Sequence, residues 1–126
     1  LAEQYILAHE YGHHIQNLLG TNAEVQRAEQ SDPDRAGQYS IALELQADCY
    51  AGAWVGARNV LDSAAELDEA IKAAEGVGDD RIQMKTQGRV DPESWTHGSA
   101  EQRKTWFLTG YNSADPTTCD TFAEIS

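Results

Sequence analysis

Basic side chains are scarce. Nine Lys and Arg stand against 21 Asp and Glu, a net charge of −12 at pH 7. Such a chain repels nucleic-acid phosphates and anionic membrane surfaces, so neither is expected as a partner, and the charge reads as a solvated acidic surface. Long apolar runs are missing too, since nothing approaches the ~18 consecutive apolar residues of a membrane span. The opening Leu1-Ala2-Glu3-Gln4 has neither the basic nor the apolar region of a signal peptide. The chain also does not begin with Met, and its helical pattern starts with no capping residue ahead of it. It is therefore expected to be a piece of a longer protein, whose remainder is where an anchor or a signal would lie. Only two cysteines occur, Cys49 and Cys119, a number that permits one bridge without demanding it. With 126 residues and 40% hydrophobic content, the chain suits one domain with a small core.

Repeats, low-complexity runs and strand alternation are likewise absent, and helical spacing dominates. A first helix is expected from about Ala2 to Leu19, stopped at Gly20. The polar stretch from Thr21 to Asp34, with its Ser31-Asp32-Pro33-Asp34 turn, reads as a surface loop. Further helices are expected from about Gly37 to Asn59, from Ser63 to Glu75, and from a cap at Asp79 or Asp80 to Gln87. Residues 89–98, which include Pro92, read as a loop. Ser99 and Gln102 have capping-box spacing for a helix to about Asn112, and Asp115-Pro116 suits a last short turn. The fold class is all-α.

His9-Glu10-Tyr11-Gly12-His13 carries the chemistry. Imidazoles four residues apart share one helix face and can reach one tetrahedral ion, zinc above all. Glu10, rotated by about 100°, is poorly placed as a ligand but well placed as a general base toward water on the metal. The pattern arises by chance in roughly a few such chains per thousand, so it needs a third ligand. His14 projects away, onto a polar strip with Glu3, Glu10 and Asn17. A third His six residues after the second is ruled out, because Gln16 and Leu19 occupy the Gly and His positions of HExxHxxGxxH. The remaining source is a later helix, where Glu44 and Asp48 share a face with Ile41, Leu45, Ala51, Gly52 and Val55. Carboxylates in an apolar stripe are costly unless paired or metal-bound. Glu44 is assigned as third ligand, and Asp48 as acceptor for the outer N–H of a ligand His. Spacing alone allows the two roles to be exchanged. Gly12, Ala47, Ala51 and Gly52 would let the two helices approach closely.

The combination of HExxH with a later ExxxD resembles the gluzincin branch of zinc peptidases. More narrowly, the chain resembles the bacterial neutral zinc metallopeptidase family. The resemblance rests on AHEYGHHIQNLLG (Ala8–Gly20), LELQADCYAGAW (Leu43–Trp54), GDDRIQ (Gly78–Gln83), THGSAEQRKTWF (Thr96–Phe107) and DPTTCDTF (Asp115–Phe122), in order along nearly the whole chain. It implies one Zn2+ held by His9, His13 and Glu44, with Glu10 as catalytic base. It implies the helical half of a zincin-like catalytic domain whose β-sheet would lie upstream. Both cysteines fall within family blocks, which favours a Cys49–Cys119 disulfide. Family members are typically membrane-anchored and face outside the cytoplasm, a compartment that permits that bond.

His97, at the entry to the last long helix, is a candidate hydrogen-bond donor to a tetrahedral oxyanion; its plainer role is support of the helix cap. Arg103, on the same helix, could pair with a carboxylate near the site, although a surface or structural ion pair is the plainer reading. Trp54, Trp95, Trp106 and Tyr11 are expected in the core. The reading is zinc-dependent hydrolysis of peptide or protein substrates by metal-activated water. One alternative is a zinc-binding module that has lost catalysis; another is a metal-free helical interaction module.

Overall fold

The computed structural model describes residues 2–58, 64–91 and 94–125. The expected helix boundaries at Asn59 and Ser63, and Pro92, lie outside them, as does the side chain of Glu3. Six helices follow in order: α1 (Ala2–Leu18), α2 (Thr21–Ser31), α3 (Ala36–Arg58), α4 (Ala64–Gly76), α5 (Asp79–Gln87) and α6 (Ala100–Ser113). Short 3-10 turns occupy Pro33–Arg35, Pro116–Thr118 and Thr121–Glu124. Among the described residues there is no strand, and the fold is all-α.

The polar stretch after Gly20 is a helix, not a loop. Gly20 takes a left-handed conformation (φ 78°) that reverses the chain and lets α2 start at once. Ala23, Gln26, Arg27, Ala28 and Glu29 favour helix intrinsically. Only Val25 is buried on α2, so the apolar stripe that would have announced the helix is one residue wide. The other boundaries fall within a residue or two of the expected ones. Ser99 and Gln102 form the capping box: the Ser99 hydroxyl accepts from Gln102 N–H at 3.0 Å, and Gln102 Oε1 accepts from Ser99 N–H at 2.9 Å.

Helix α3 is central, with α1 on one side and α6 on another. The core gathers Tyr5, Ala8, Ala51, Val55, Ala70, Ala74 and Phe107. Its residues are mostly small, so helix axes come close. A Cβ on Gly12 would stand 2.8 Å from the Ala47 carbonyl oxygen of α3, which fixes the α1–α3 seam. Gly52 does not serve that seam as expected; it faces the Phe107 and Tyr111 backbone of α6. The aromatic expectations also need correction. Trp54 packs against the core as expected, but Trp95 and Trp106 are only half-buried, and Tyr11 is 49% exposed. A disulfide joins Cys49 of α3 to Cys119, with Cα atoms 5.6 Å apart, and pins the C-terminal segment to the central helix.

Candidate metal centre

The α1–α3 seam brings together His9, His13 and Glu44. One ligand atom from each lies within 4.8 Å of the other two. Glu44 Oε2 is 2.6 Å from His13 Nε2 and 3.8 Å from His9 Nε2. Asp48, one turn further along α3, sits behind His9, with its Oδ1 2.8 Å from His9 Nδ1. Glu44 thus reaches the Nε2 nitrogens and Asp48 the outer nitrogen of His9. Neither carboxylate faces solvent. The side chain of Glu44 is 16% exposed and that of Asp48 is fully buried.

Charge explains the arrangement. Burial opposes a charge on His9, but Asp48 and Glu44 outweigh it and raise the imidazole to about 9. The Glu44 hydrogen bond likewise raises His13, against burial. Burial works against ionised Glu44 too, yet the two histidines hold its carboxyl well below the usual range. The histidine nitrogens and the Glu44 carboxylate thus support one another's charge, and two imidazoles are held around one anion. A divalent cation replacing their Nε2 protons would meet two nitrogens and one oxygen. That donor set is one zinc takes in catalytic sites, with a coordination position left over. The outer nitrogen of each imidazole is also already engaged, as ligand histidines require. The residues fit the metal.

Sequence reasoning missed several residues around this cluster. Arg103 does pair with a carboxylate near the site, and its burial is what spacing did not show: its Nε lies 2.7 Å from Asp48 Oδ2 and its Nη2 3.2 Å from Asp48 Oδ1. Its Nη1 also donates to the Val77 carbonyl at 3.1 Å. The Tyr5 hydroxyl donates to Asp48 Oδ1 and accepts from Arg103. Burial, with Asp48 adding to it, pushes the Tyr5 phenol up, so it stays protonated as a donor. Arg103 compensates the Asp48 charge that the apolar interior would otherwise penalise. These partners are separated by 43 to 98 residues in sequence, beyond the reach of any local pattern. Gln16 and Gln46, also buried, lie on the other side of His13.

His97 stands at the solvent side, half-exposed, with Nε2 3.6 Å from Glu44 Oε1. Its loop is held from α5 rather than from α6 alone. Asp79 Oδ2 accepts the backbone N–H groups of Thr96, His97 and Gly98 at 3.0, 2.7 and 3.0 Å. Asp80 accepts Ala100 N–H at 2.7 Å. Neither aspartate caps α5, the role expected for one of them; Gly78 is the capping position and both carboxylates bridge to the start of α6. Glu10 is exposed on α1, next to His9, and His14 is exposed as well. An apolar cavity of about 490 Å³ lies away from the cluster, against Tyr11, Ile15, Tyr50 and Trp54.

A family model described as "Putative neutral zinc metallopeptidase" matches residues 1–122. Among curated proteins, the chain is 48% identical over 134 residues to Uncharacterized protein Rv2575 of Mycobacterium tuberculosis, an alignment covering 97% of this chain and 44% of the relative. It is 44% identical over 127 residues to Uncharacterized protein YpfJ of Escherichia coli K12, covering 98% of this chain and 44% of the relative. The chain thus spans less than half the length of the curated relatives it matches. No solved structure matches it significantly.

Proposed function

The chain belongs to this zinc metallopeptidase family, and from that membership we propose that it carries the zinc site and general base of a gluzincin-like peptide-bond hydrolase. The observation that carries the reading is the convergence of His9, His13 and Glu44 on one point of the α1–α3 seam. These three would hold one Zn2+, and Asp48 would orient His9 from behind. Zinc, when bound, supplies Lewis acidity that polarises a substrate carbonyl and makes water more acidic. Glu10, exposed beside His9 and turned about 100° around the helix, takes the proton of the attacking water and passes it to the leaving amine. His97 donates a hydrogen bond to the developing oxyanion. The products are two peptides, and no covalent bond to the protein forms. The Cys49–Cys119 disulfide supports an extracytoplasmic setting for the protein in a bacterium. No described helix is long and apolar enough to cross a membrane.

An inactive zinc-binding module is the competing reading. Structural zinc sites are usually closed by four protein ligands and need no base. Three converging donors with Glu10 beside them favour catalysis. In the full-length protein, Glu10→Gln is expected to keep zinc and lose about 10²- to 10⁴-fold in peptide hydrolysis, measured by metal analysis and turnover of a protein substrate. Unchanged turnover would remove Glu10 from its role. Glu44→Gln is expected to lose zinc itself.

A further inference from the structure

Gln16 occupies the position where a different zinc-peptidase pattern has glycine, and nothing in the proposed reaction uses it. It is fully buried on α1, one turn beyond His13. A buried primary amide must satisfy two donors and an acceptor. Both Gln16 donors are committed: Nε2 donates to the Leu43 carbonyl at 2.8 Å and to Gln46 Oε1 at 2.9 Å. Gln46 is fixed in turn, because its Nε2 donates to the Cys119 carbonyl at 3.1 Å. The carbonyls of Leu43 and Cys119 can only accept, so neither amide can be flipped without opposing two oxygens. Gln16 Oε1 is left with one direction, toward His13 Nδ1 at 2.9 Å. An oxygen there requires a proton on Nδ1, which leaves Nε2 as the nitrogen that faces Glu44 Oε2 at 2.6 Å.

We propose that Gln16 is a positioning residue for the metal ligand His13, held by an amide relay that ends on the backbone carbonyls of Leu43 and Cys119. The inference rests on the reading of the cluster as a metal site. The relay differs from the arrangement behind His9. There a carboxylate, Asp48, holds the outer nitrogen, with the charge balanced by Arg103. Behind His13 a neutral amide does so, and adds no charge to a site already holding two buried carboxylates.

The test uses the purified full-length protein, with zinc affinity from competition against a chromophoric chelator and long-range nitrogen-15 spectra of the zinc-loaded protein. In the wild type, His13 is expected to bind zinc through Nε2 and to show a slowly exchanging proton on Nδ1. Gln16→Met is expected to weaken zinc 10- to 100-fold and to expose that proton to exchange. Gln46→Met, one link further back, is expected to weaken zinc less. Zinc on Nδ1 of His13 in the wild type overturns the proposal even if the variants fail to fold. So do unchanged affinity in Gln16→Met, or a larger loss in Gln46→Met than in Gln16→Met. All three leave the metal centre standing. Failure of the wild type to take up zinc overturns the centre and the proposal together.

Discussion

At the scale of residues, the cluster makes the metal-free chain sensitive to pH in a defined direction. The folded pKa of His9 lies at about 9, above its ordinary 6.5, so the stability it contributes is complete below 6.5 and lost as pH rises through 9. Glu44 acts with the opposite sign: its depressed carboxyl contributes above 4.5 and loses that contribution as pH falls below it. Thermal unfolding of zinc-stripped protein should therefore show a falling Tm from pH 6.5 to 9, and a flat or rising profile would contradict the pairing. Zinc uptake at neutral pH should release protons, seen by calorimetry in buffers of different ionisation enthalpy. Arg103→Met strands the Asp48 carboxylate in the interior and should cost about 3–5 kcal/mol in urea unfolding. His9, Glu10 and His13 were legible as a motif because they sit within one turn and a half of helix. Tyr5, Gln16 and Gln46 were not, because their meaning lies in partners on other helices. The one local signal was a polar Gln16 on the buried face that carries His9 and His13.

At the scale of elements, spacing gave five of the six helices and the capping box, since each has an apolar stripe or a terminal signal of its own. Helix α2 was read as a loop because polarity stood in for irregularity. A short helix that buries Val25 alone has almost no stripe to read. The α1–α3 approach was foreseeable from Gly12 and Ala47, whereas the use of Gly52 against α6 needed the third helix in place. Gly12→Ala should force α1 and α3 apart, since its new methyl would meet backbone rather than a movable side chain. About 1–3 kcal/mol of destabilisation is expected, together with weaker zinc binding, because the seam carries His9 and His13 on one side and Glu44 on the other. Calorimetric melting and zinc titration of that variant would reveal a seam more tolerant than this if neither changed.

At the scale of the whole molecule, the acidic balance and the small size of the core were visible in composition, while the alanine-rich make-up of the core and the course of the tail were not. The bridge from Cys49 to Cys119 closes a span of 70 residues, which in the chain-entropy description stabilises the fold by about 4 kcal/mol. Reduction, or Cys119→Ser, should lower the Tm accordingly in a melting experiment. The same cross-link carries a second consequence. Cys49 directly follows Asp48, and the carbonyl of Cys119 is the last acceptor behind Gln46 and Gln16. Should oxidation tighten the grip on zinc by some factor, linkage obliges zinc to shift the thiol–disulfide equilibrium by that same factor. Loaded protein would then have the lower reduction potential of the two forms, and the tail would serve as a redox gauge of whether the ion is in place.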